Sequence, residues 1–94
     1  MKTTYEISLN MKTLKGIETY GHFTLGDNES FATNLYDLMI GDEQIATDSV
    51  ITIYLIRRDN GVPFIIKLRH CTYDQLATNV KVITKELFKQ VNLE

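Results

Sequence analysis

The sequence predicts an α+β domain made of a duplicated ββα unit: a four-stranded antiparallel sheet with two helices packed on one face. Three observations point there. Phe31-Ala32-Thr33-Asn34 recurs as Leu76-Ala77-Thr78-Asn79, forty-five residues later. Gly16 and Gly61, each in a candidate hairpin turn, keep that spacing, as do the candidate helix caps Asp27 and Thr72. In each half, stretches of period-two alternation precede a stretch of helical period. Short repeated units exist because one copy cannot bury its own apolar face. The expected organisation is a single domain over residues 1–94, with copies at 3–41 and 49–92 and an acidic loop at 42–48 between them.

The first strand is read from residues 4–13, where Tyr5, Ile7, Leu9 and Met11 alternate with Glu6, Ser8 and Asn10. In the second, Ile17, Phe23 and Leu25 share one face, with Glu18, Tyr20, His22 and Thr24 on the other. A three-residue Leu14-Lys15-Gly16 loop with a left-handed glycine would pair Ile7 with Phe23, Tyr5 with Leu25 and Lys12 with Glu18. Asp27 then caps a helix over about 28–40. Its apolar stripe is Phe31, Ala32, Leu35, Leu38 and Met39, with Tyr36 and Ile40 off the stripe and Gly41 as the stop.

The second hairpin carries the clearest local signal. Asn60-Gly61 between two apolar runs predicts a two-residue type I′ turn. That turn would pair Leu55 with Ile66, Ile53 with Leu68, Tyr54 with Lys67 and Thr52 with Arg69. Thr72 and Gln75 form a capping box for the last helix, whose stripe is Leu76, Ala77, Val80, Ile83, Leu87, Phe88 and Val91. Pro63 cannot donate a ladder hydrogen bond, which favours strand four at an edge and the order 2-1-3-4. The order 1-2-4-3 satisfies the same pseudo-twofold with Pro63 at a strand end. The succession ββαββα differs from the ferredoxin-like βαββαβ and from the αβββα of double-stranded-RNA-binding domains, so neither lends a function.

Composition limits the function classes. The 94 residues are 44% hydrophobic and 23% charged, ordinary for a globular chain. No apolar run approaches the roughly 20 residues of a membrane helix, and no membrane partner is expected. The one cysteine, Cys71, cannot form an internal disulfide, which fits a reducing, cytoplasmic setting and a small protein of bacterial type. Leu93-Glu94 resemble residues left by cloning and are set aside. Residues 1–48 hold three Lys and eight acids, a balance of −5, whereas residues 49–94 hold seven Lys or Arg and four acids, +3. The halves either meet each other, are simply solvated, or present a basic copy to an acidic partner.

Cofactor chemistry finds no footing in the pattern. The two histidines and one cysteine show no metal-ligand spacing, and the five glycines form no phosphate-cradling loop, so neither a metal nor a nucleotide is expected. Cys71 precedes a helix N-terminus and follows His70, the one arrangement with a thiol-chemistry reading. The face away from the helices is the stronger candidate. It is expected to carry Tyr20, His22, Thr52, Tyr54, Ile56, Ile65, Lys67 and Arg69. Aromatic and cationic side chains on an open sheet suit single-stranded nucleic acid. Apolar residues on both faces of the second hairpin suit a protein partner instead, a second copy included, through the open face or an edge strand. Protein binding is the favoured expectation, with nucleic-acid binding and a Cys71 thiol enzyme as alternatives. Lys81, Lys85 and Lys89 form a basic flank on the last helix, read as solvated.

Overall fold

The computed structural model describes residues 2–92, with side chains through residue 90. The expectations for Val91, Leu93 and Glu94 fall outside that description. The chain runs β1 (Thr3–Thr13), β2 (Gly16–Gly26), α1 (Glu29–Leu38), β3 (Ile51–Asp59), β4 (Val62–Cys71) and α2 (Tyr73–Asn92). The four strands form one antiparallel sheet in the order β2-β1-β3-β4, the expected α+β arrangement. Pro63 stands on the outer strand, opposite Arg58, where its missing N–H costs nothing.

The core lies between the sheet and the helices. Tyr5, Ile7 and Leu9 of β1 meet Ile51, Ile53 and Leu55 of β3, with Ile7 opposite Leu55 and Leu9 opposite Ile53. Ala32, Leu35 and Tyr36 of α1, Met39 at its C-terminal cap and Ile83 of α2 close over them. Leu76, Val80, Val82 and Leu87 pack at the margin. Tyr36 is therefore a core residue, whereas Leu38, expected on the stripe, is exposed. Ala77 and Phe88 of the expected α2 stripe are exposed as well. The buried line of α2 runs instead through Leu76, Asn79, Val80, Ile83 and Leu87, a truer i, i+3, i+4 spacing.

Both hairpins depart from the expected register, the first at its turn and the second at a bulge. β1 and β2 are joined by a two-residue Leu14-Lys15 loop, with Thr13 facing Gly16, Lys12 facing Ile17 and Met11 facing Glu18. The strand then slips by one residue at Tyr20, restoring the expected Ile7–Phe23 pair, and again at Leu25, so Tyr5 faces Gly26. Lys12 does not meet Glu18. In the second hairpin Asn60 (φ 52°) and Gly61 (φ 87°) both take the positive φ of a type I′ turn, and Ile56 faces Ile65 as the turn dictates. A bulge at Ile66 then resets the register, so Leu55 faces Lys67, Tyr54 faces Leu68, Ile53 faces Arg69 and Thr52 faces His70. Each bulge adds one unpaired residue, and side-chain period two turns everything beyond it to the other face. Glu18, Lys67 and Arg69 thus lie on the helix side.

The duplication holds as topology, with shifted residue equivalences. Counted from the turns, Gly16 matches Val62 and the bulge at Tyr20 matches that at Ile66, an offset of 46. Counted from the caps, Asn28 matches Thr72 and Ala32, Leu35 and Met39 match Leu76, Asn79 and Ile83, an offset of 44. Asn28, and not Asp27, caps α1, its Oδ1 accepting from the Phe31 amide at 3.0 Å. The extra bulge at Leu25 and the residue Asp27 account for the difference. The Ala-Thr-Asn match at forty-five does not join equivalent places: Asn34 is exposed and Asn79 fully buried.

Candidate functional site

The open face of the sheet is built on the even-numbered residues of the central strands. β1 supplies Glu6, Ser8 and Asn10, opposite Ile56, Tyr54 and Thr52 of β3. These three polar residues are only 7%, 6% and 6% exposed, although no helix covers them. Their neighbours shield them. His22 and Thr19 of β2, Arg58, Ile56 and Tyr54 of β3, and Pro63 and Ile65 of β4 surround the row, leaving a shallow depression of about 450 Å³.

The floor of that depression satisfies its own hydrogen-bonding groups. Arg58 donates to both Glu6 carboxylate oxygens, from Nε at 2.8 Å and Nη2 at 3.3 Å. His22 Nε2 lies 3.0 Å from Glu6 Oε2. The Arg58 bonds, with a smaller contribution from His22, hold the Glu6 carboxyl below its ordinary pKa against the opposing effect of burial. Ser8 Oγ donates to Asn10 Oδ1 at 3.2 Å, and Thr19 Oγ1 donates to the same oxygen at 3.0 Å. Arg58 is further held by the Gly61 carbonyl, 3.1 Å from Nη1.

Of the expected site residues, His22, Tyr54, Ile56 and Ile65 are brought together around this depression. Thr52 shares the face but pairs with His70, Oγ1 to Nδ1 at 2.9 Å. Tyr20 is the extra residue of the β2 bulge, exposed and outside the lining. Lys67 and Arg69 are not on this face. Lys67 Nζ reaches Asp37 of α1 at 3.7 Å and lies 5.8 Å from the Tyr36 ring centroid. The Arg69 guanidinium covers the same ring at 4.6 Å and donates to the carbonyls of Tyr36 and Met39 at the end of α1. Its charge there complements the helix C-terminus.

Sequence reasoning set Glu6, Ser8 and Asn10 opposite the apolar residues of the first strand but assigned none of them to the site, and it missed Thr19, Arg58 and Pro63. The alternation of β1 alone could have found the first three, since a central strand places its polar face mid-sheet. Comparison with protein-family models, with characterised proteins and with solved structures finds no match. Geometry carries the functional argument.

Cys71 is fully buried. Asn79 Nδ2 donates to its sulfur at 3.4 Å, the thiol points to the Ile40 carbonyl at 3.6 Å, and burial pushes its pKa up. That is the reverse of an activated thiolate, and the His70 ring is engaged by Thr52. Among the described residues no group of three or more His, Cys, Asp or Glu could hold a metal ion, and no helix is long and apolar enough to cross a membrane.

Both sheet edges are blunted. β2 carries two bulges, and β4 carries Pro63 and the bulge at Ile66. The far end of β4 is already paired: Asp42 exchanges both backbone hydrogen bonds with His70, at 2.9 and 2.7 Å. Such features discourage an added strand.

Proposed function

We propose that this protein is a binding module that docks a protein partner on the open face of its sheet, over Tyr54, Ile56, Ile65 and the neighbouring Leu68. The observation that carries this reading is the contrast between floor and rim. The polar floor is paired within the chain, so covering it leaves no charge or amide unsatisfied. Meanwhile Ile65 and Leu68 stand 55% and 43% exposed. Burying a fully exposed side chain of this kind contributes about 1.5–3 kcal/mol, so covering the exposed half of each contributes roughly 1 kcal/mol, a gain that the paired floor does not offset with a desolvation cost.

The nucleic-acid alternative loses support on this geometry. Its phosphate-tracking cations Lys67 and Arg69 are on the helix side, and Arg58 is committed to Glu6. An edge-strand mode loses support from the bulges and Pro63.

Photo-crosslinking tests the proposal. With p-benzoylphenylalanine in place of Ile65, irradiation in cells is expected to give a discrete protein adduct that Leu68→Lys abolishes. The same group in place of Lys15, in the exposed β1–β2 loop, is expected to give none. An adduct to nucleic acid, or none from position 65, would overturn the reading.

A further inference from the structure

We infer that the partner on this face is a second copy of the chain, the two sheets packing face to face about a twofold axis. The inference rests on the open face being the docking surface, and it adds the occupant. A twofold interface sets one patch against the same patch, so the patch must not repel itself. The charges in this one are compensated locally: Glu6 is held by Arg58 and His22, and Ser8, Asn10, Thr19, Tyr54, Ile56 and Ile65 are uncharged. Lys67 and Arg69, which would oppose their own images across such an axis, are turned to the other side by the Ile66 bulge.

Relief and area agree. The face carries a hollow, lined by Tyr54, Ile56 and Ile65, and beside it an exposed apolar knob, Leu68, which shares the face with its cross-strand partner Tyr54. A twofold lets the Leu68 of each copy enter the hollow of the other. Strands of about nine residues at ~3.3 Å rise, four abreast at ~4.8 Å, give a footprint on the order of 550 Å² per copy. The pair would bury roughly 1,100 Å², above the ~1,000 Å² of a specific interface. The blunted edges leave the face, and not edge pairing, as the route to association.

Sedimentation equilibrium of the full chain, from micromolar to millimolar, is the test. A monomer–dimer equilibrium is expected. Leu68→Lys and Ile65→Lys are each expected to weaken it by at least about tenfold, or 1.4 kcal/mol, with Lys15→Glu leaving it unchanged. Far-UV circular dichroism and thermal melting check that each variant folds. Isotope-filtered NOEs between labelled and unlabelled chains are expected from Leu68 methyls to the Tyr54 ring. A monomer throughout, or a dimer indifferent to both substitutions, overturns the inference. A monomer that still gives a position-65 adduct with a different protein removes the second copy and leaves the docking face standing; no adduct as well removes both.

Discussion

Tyr36 shows how a single residue departs from its sequence reading. It stands off the α1 stripe in a simple helical projection, yet it is among the largest fully buried side chains. The reason is β4: the Ile66 bulge turns Lys67 and Arg69 toward α1, and Tyr36 supplies the ring on which these cations rest. Its hydroxyl has no hydrogen-bond partner among the described residues, and burial pushes its pKa up. An unmade hydrogen bond in the interior costs more than no polar atom at all. Tyr36→Phe is therefore expected to leave stability unchanged or raise it by up to about 1 kcal/mol. Thermal melting measures this, and a loss larger than that amount would mean the hydroxyl has a partner.

At the scale of elements, the strongest local signals were legible, whereas the first loop, the α1 cap and the bulges set by cross-strand fit were not. The Asn60-Gly61 turn and the Thr72–Gln75 capping box are local. Both are present, the box with the Thr72 amide donating to Gln75 Oε1 at 3.0 Å and the Gln75 amide to Thr72 Oγ1 at 3.3 Å. The bulges at Tyr20, Leu25 and Ile66 depend on how whole strands settle against β1 and β3, which no short window reports. That is why four of the eight expected site residues reached the depression and two cations went to the far side. Asn79 was likewise hidden, because a buried asparagine on an apolar stripe reads as an exposed one. It joins α2 to the segment after α1, accepting from the Ile40 amide at 2.8 Å and donating to the Ile40 carbonyl at 2.8 Å. Gly41 follows, so close to β4 that a Cβ there would stand 2.7 Å from the His70 carbonyl. Asn79→Ala would strand the Ile40 amide and leave the Ile40 carbonyl only the Cys71 thiol, and urea unfolding is expected to show a loss of about 1–3 kcal/mol.

For the whole molecule, the uneven charge of the two halves has a structural use. Acids of the first copy meet cations of the second, in Glu6–Arg58 on the open face and Asp37–Lys67 on the helix side. The Glu6 pair makes stability depend on acid. Its folded pKa is depressed below the ordinary carboxylate value, so its contribution is fully present above the unfolded pKa and is lost as pH falls through the folded one. Denaturant midpoints are expected to decline on acidification below about pH 4.5. Glu6→Gln should lower stability at neutral pH and flatten that decline. An unchanged acid slope in the variant would assign it to other carboxylates.

The Ile66 bulge also has a genetic consequence. Losing that one codon would turn the bulge into a regular ladder and leave Lys67 opposite Leu55 and Arg69 opposite Ile53, on the helix side as before. A codon lost from an unbulged stretch, such as that of Tyr54, would instead turn every residue beyond it to the other face. The reading frame is thus more forgiving at the bulge than on either side of it.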